Sequence, residues 1–128
     1  MTKEAALFNF WSSFGLTAYE ENTVPSADDS ENAPAFPYLT YQVATGDIGS
    51  EIALSASLWY RSSSWLDVNN KARQIEKKIG QGGIVLPCDG GAMWLKRGTP
   101  FAQNMSDPDD DAIRRKYINI SVEFFTAE

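Results

Sequence analysis

From Ile52 to Tyr60 every second side chain is apolar: Ile52, Leu54, Ala56, Leu58 and Tyr60. Alternate residues of a strand point to one face, so the run predicts a strand over 51–60 with one buried face. Leu39, Tyr41 and Val43 repeat the alternation over 38–43, and the Thr45-Gly46-Asp47-Ile48-Gly49-Ser50 segment between them has turn composition. The two strands therefore read as a hairpin. Ten residues of strand run ~33 Å, whereas a chain of this size has a radius of gyration of about 14 Å. The hairpin tip is expected to project beyond the core.

The other elements differ in period. Leu7, Phe10, Trp11 and Phe14 share one helix face over 3–14. Thr2 suits its N-cap, Glu4 its positive end and Gly15 its stop. Residues 16–19 read as a short extended piece. A second helix is predicted over 65–79, with Ser64 as cap and Val68, Ala72, Ile75 and Ile79 as its buried stripe. Lys71, Arg73, Lys77 and Lys78 lie on its wet side, and Gly80 ends it. A second hairpin pairs 84–86 with 92–97 across Pro87-Cys88-Asp89-Gly90-Gly91. The last strand is predicted over 113–125, with Ile118, Ile120, Val122 and Phe124 facing the core. Residues 20–37 and 98–111 read as loops. The first is long enough to be functional or mobile. The expected fold is α+β: two helices packed on a mostly antiparallel twisted sheet with projecting hairpin loops, in one domain spanning 1–128.

The chain has no His and a single Cys, Cys88. Ser-His-Asp and Cys-His nucleophile pairs, His-metal sites and an internal disulfide are thereby excluded. No basic segment followed by an apolar run opens the sequence, and no run of ~18 apolar residues occurs. No signal peptide or membrane span is expected, and the expected setting is a reducing cytosol. A net charge of −6 argues against a protein that wraps nucleic acid.

Few local patterns suggest chemistry. Asp107-Pro108-Asp109-Asp110-Asp111 offers hard oxygen ligands, but it lacks the Gly and terminal Glu of an EF-hand loop. Repulsion in water is the simpler reading. Gly80-Gln81-Gly82-Gly83 follows a helix and leads into a strand, the reverse of a phosphate-binding loop, so it reads as a turn. Cys88 has no basic neighbour in sequence and reads as a small structural thiol. Trp11, Trp59, Tyr60 and Trp94 lie on periodic elements without interleaved bases, which favours packing over base stacking. Arg114-Arg115-Lys116 is the densest basic cluster, and it can balance the adjacent Asp run. No enzyme activity, metal or cofactor is expected.

Several segments together resemble one known family. They are Phe14-Gly15-Leu16-Thr17-Ala18-Tyr19-Glu20, Pro37-Tyr38-Leu39-Thr40-Tyr41, Leu58-Trp59-Tyr60, the amphipathic helix after Trp65, and Tyr117-Ile118-Asn119-Ile120-Ser121-Val122-Glu123-Phe124. With the order of elements, they resemble the tail terminator (tail completion) proteins of long-tailed bacteriophages. The resemblance implies a structural virion protein, made in the host cytoplasm, whose copies form a ring, usually a hexamer. The ring caps the tail tube, ends its polymerisation, and presents a surface to a head-completion or neck protein. DNA passes through it without specific binding. Two rival readings are another head–tail connector of the same virion, and a small-molecule-binding accessory domain.

Charge sorting fits a ring. Residues 1–60 sum to −7 and residues 61–128 to +1. A closed ring needs a heterologous contact between unlike faces. The sorting suggests that Lys71, Arg73, Lys77, Arg114 or Arg115 meets Glu20, Glu21, Asp28, Asp29, Asp47 or Glu51 of a neighbour. Asp107, Asp109, Asp110 and Asp111 would then line the channel and repel DNA phosphates.

Overall fold

The computed structural model describes residues 1–127. Its elements run α1 (Lys3–Ser12), β1 (Thr17–Glu20), β2 (Tyr38–Tyr41), β3 (Glu51–Arg61), α2 (Leu66–Ile79), β4 (Ile84–Cys88), β5 (Gly91–Ser106) and β6 (Ile113–Thr126). The strands form one mixed sheet in the order β1-β2-β3-β6-β5-β4. Only β1 and β2 are parallel. The sheet curls into a half-barrel around two helices, which is the α+β architecture the sequence patterns predict.

Both helices follow from local chemistry. Thr2 Oγ1 accepts the Ala5 N–H at 3.1 Å, capping α1. The helix stops two residues before its expected end at Phe14. Ser13 Oγ donates to Phe10 O at 2.6 Å, and Gly15 takes φ +81°. Phe14 is nevertheless buried, and its ring meets Phe10 edge-on at 5.3 Å. Helix α2 begins at Leu66, so Trp65 rather than Ser64 takes the N-cap position, without a side-chain cap, although Ser64 Oγ accepts the Leu66 N–H at 3.1 Å. Gly80, at φ +74°, ends the helix and donates its N–H to Glu76 O.

The core is one cluster on the concave side of the strands' alternation. Leu54 faces Ile120 across β3–β6, Ala56 faces Ile118, and Val122 and Phe124 face Leu95 and Met93 on β5. The α2 stripe of Val68, Ala72, Ile75 and Ile79 covers β3, β5 and β6. Burying each of Val68, Ile75 and Ile79 contributes about 1.5–3 kcal/mol. Helix α1 packs against β1 and β4, the two sheet edges, and so bridges the open side of the curl. Trp11 lies at its centre, 1% exposed, stacked on Tyr41.

Two expectations fail. The loop predicted over 98–111 is largely strand, since β5 runs on to Ser106. Gly98, Thr99 and Pro100 break the apolar pattern, but they do so as a bulge. Four residues, 98–101, oppose Asn119 alone, whose Nδ2 donates to Pro100 O at 3.0 Å. The ladder resumes at Ala102 opposite Ile118. The β2–β3 hairpin also has no free arm. The overhanging part of β3, from Glu51 to Ser55, pairs with β6 from Glu123 to Asn119. The turn before it is tied down too: Gly49 N donates to Phe124 O at 2.7 Å, and Phe124 N to Ser50 O at 3.0 Å. The long strand is thus central rather than projecting.

Candidate subunit interface

The acid-rich segment hangs from one edge of the sheet, joining β1 to β2. Two of its acids shape the loop. Glu20 accepts the Asn22 backbone N–H and side-chain amide at 3.0 and 2.9 Å. Asp29 accepts the N–H groups of Glu31 and Asn32 at 2.9 and 3.0 Å, and these bonds hold its pKa below the ordinary carboxylate value. Glu21, Asp28 and Glu31 are exposed and accept no hydrogen bond or ion pair among the described residues. Asp47 is likewise exposed in the turn before β3.

Glu51 is already engaged on the sheet face opposite the helices. It accepts from Ser121 Oγ, and Lys96 Nζ lies 3.2 Å away and 3.4 Å from Glu123. The Ser121 bond, then Lys96, lowers the Glu51 pKa, and the bond to Glu51 raises that of Lys96.

The predicted cations divide in the same way. Lys71 Nζ donates to Phe14 O at 2.7 Å, joining α2 to the end of α1. Lys77 is exposed and unpaired among the described residues. Arg114 and Arg115, neighbours in sequence, point to opposite faces because β6 is a strand. Arg114 sits over the Trp65 ring at 5.5 Å and donates to Asp111 O. Arg115 caps an aromatic stack on the other face. Its guanidinium lies 4.5 Å from the Trp59 ring, and Trp59 stacks on Tyr38 at 5.8 Å and 8°. Arg115 Nε also donates to Ser57 Oγ at 3.1 Å. This role in packing the sheet face went unseen in the sequence.

The Asp run is an ordered turn. Asp107 Oδ1 accepts the N–H groups of Asp109 and Asp110, and Asp110 pairs with Arg61 at 2.6 Å. The Ala112 N–H, then Arg61, lowers the Asp110 pKa. Asp109 and Asp111 remain exposed. Among the described residues no group of three His, Cys, Asp or Glu side chains is placed to hold a metal ion. Cys88 is free and packs half-buried against the core.

Across the described residues, only Arg61 and Lys96 among the basic side chains form intrachain ion pairs. The free cations concentrate on α2 and the β5–β6 side. One group among them was not singled out by sequence. Lys116, Arg73, Asn69, Glu76 and Phe101 line a cleft of about 240 Å³ between α2 and the β5 bulge. Strand alternation turns Lys116 toward α2, away from Arg115, and that period was the available signal. A second, apolar groove of about 400 Å³ lies between α1 and β4, lined in part by Phe10, Ile84, Leu86 and Pro87. No family model matches the chain, and no curated protein matches it in sequence.

Proposed function

We propose that the protein is a structural, non-enzymatic component of a bacteriophage tail. Its copies associate head to tail into a ring, six by the family resemblance, that caps the tail tube and stops its growth. The ring's other surface meets a head-completion or neck protein, and DNA passes through the centre without specific contacts. The protein works in the virion after assembly in the host cytoplasm and uses no cofactor. The observation that carries this reading is the separation of exposed charge that forms no intrachain ion pair. Glu21, Asp28 and Glu31 project from the β1–β2 edge, while Arg73 and Lys77 on α2 find no carboxylate in their own chain among the described residues. Two unlike charged surfaces on one subunit suit a heterologous contact, which is what a ring of identical copies requires.

The apolar groove between α1 and β4 favours the rival reading of a small-molecule-binding domain. Solution mass, together with negative-stain imaging of the protein mixed with purified tail tubes, separates the two. Rings, free or on tube ends, are expected. A monomer that ignores tube ends would overturn the proposal.

A further inference from the structure

The cleft between α2 and the β5 bulge has the chemistry of an anion acceptor. Lys116 Nζ is held by two neutral amides, Asn69 Oδ1 at 2.7 Å and Asn104 Oδ1 at 2.9 Å. An ammonium has three donors, so one is left over. Its pKa is lowered, first by burial and then by the charge of Arg73 across the cleft. Arg73 itself reaches only Asn70 Oδ1, at a long 3.4 Å. Arg97, nearby on β5, donates Nε and Nη2 to the backbone carbonyl of Glu76 at 3.2 and 2.9 Å. The one carboxylate lining the cleft, Glu76, makes no ion pair with any of these. Lys116 is partly buried and Arg73 exposed, and neither forms an ion pair with Glu76, so the two cations share the cleft with charge that an anionic side chain from outside can balance. Ala72, Ala102 and Phe101 supply an apolar floor, so the site suits a side chain carried on a peptide better than a bare ion.

We propose that this cleft receives a carboxylate side chain from the acidic 20–31 loop of a second copy, with Lys116 and Arg73 as its counter-charges. The inference rests on the head-to-tail association proposed above and names its contact. The 20–31 loop is favoured over the Asp107–Asp111 turn for two reasons. Asp107 and Asp110 are already bonded locally. The turn also lies beside the cleft on the same subunit, two ladder positions beyond the Asn104–Lys116 pair. The 20–31 loop joins β1 to β2, at the sheet edge two strands away from β6, so it belongs to a different surface from the cleft, as a head-to-tail contact needs.

The test uses the whole protein, diluted until it sediments as a monomer, and a synthetic peptide of residues 20–33 with blocked ends. Amide NMR shifts of Asn69, Ala72, Phe101 and Lys116 report binding. Saturable binding is expected, weakened at least tenfold by Arg73→Gln, an exposed change with little effect on folding, and by Lys116→Met. A control peptide with Glu21, Asp28 and Glu31 as amides should bind at least tenfold more weakly. Equal binding by all variants overturns the proposal, as does binding of inorganic phosphate but not of the peptide. Sedimentation at higher concentration separates this inference from its premise. If rings form as readily with Arg73→Gln and Lys116→Met as with the wild type, the cleft is not the contact, although the ring stands. If no ring forms but the peptide binds as expected, the acceptor chemistry stands and the ring reading falls.

Discussion

Ile120 sits where the three longest strands and α2 converge. It is 1% exposed, faces Leu54 on β3, and lies beside Arg97 on β5 at the last pairing before the bulge. Ile120→Ala removes three carbons from this site. Their transfer from water accounts for about 2.4 kcal/mol at ~0.8 kcal/mol each. The cavity they leave adds more, because the bulge and the central position on β6 restrict collapse, so the total falls within about 2–5 kcal/mol. Urea unfolding followed by Trp fluorescence measures it, with an unchanged slope marking an unchanged unfolded state. Ile48→Ala, in a turn where the side chain is 66% exposed, is the control and should stay within about 0.5 kcal/mol of wild type. A loss below about 0.5 kcal/mol for Ile120→Ala would show that β6 does not face the core as described.

Gly83→Ala should destabilise by about 1–3 kcal/mol, because Gly83 has φ +82° and a Cβ there would meet Leu95 O at 2.5 Å. The urea midpoint checks it. Hydrogen exchange on the monomer should be fast through 21–36, which lies outside the strands, and slow through 102–106, which pairs with β6. Equal protection of the two segments would contradict the sheet register. Asp29, Glu51 and Asp110 have lowered pKa values in the folded state. The unfolded chain therefore binds more protons in the acid range. Their contribution is complete above the ordinary carboxylate pKa of about 4 and is lost as pH falls through the lower folded values. The melting temperature should drop below that pH, and Asp110→Asn and Glu51→Gln should flatten the drop.

Most of the fold was legible because its strands and helices have clean periods. The Ile52–Tyr60 and Ile118–Phe124 alternations place every core residue on the correct face, and the α2 stripe is buried as its spacing predicts. The failures share one cause: local composition does not report on the partner strand. Gly98-Thr99-Pro100 looks like a chain break, yet Asn119 across the ladder makes it a bulge. The overhang of β3 looked like a free arm because its partner residues on β6 lie about seventy positions further along the chain. The candidate contact surface was less legible. Sequence sorts charge by segment, but it does not tell which carboxylates are consumed by their own loop, as Glu20 and Asp29 are, and which stay free. Nor does adjacency group side chains on a strand, which is why Arg115 went to the aromatic stack and Lys116 to the cleft.

In its proposed role this chain ends tail-tube growth by ring formation. The most direct measurement is the length distribution of tail tubes polymerised from purified tube protein, imaged with and without this protein at low and at high salt. Capped tubes that stop growing are expected, with capping weakened but not abolished by salt and reduced when Glu21, Asp28 and Glu31 are replaced by Lys. Tubes that grow to the same lengths in its presence, with bare ends, would contradict it.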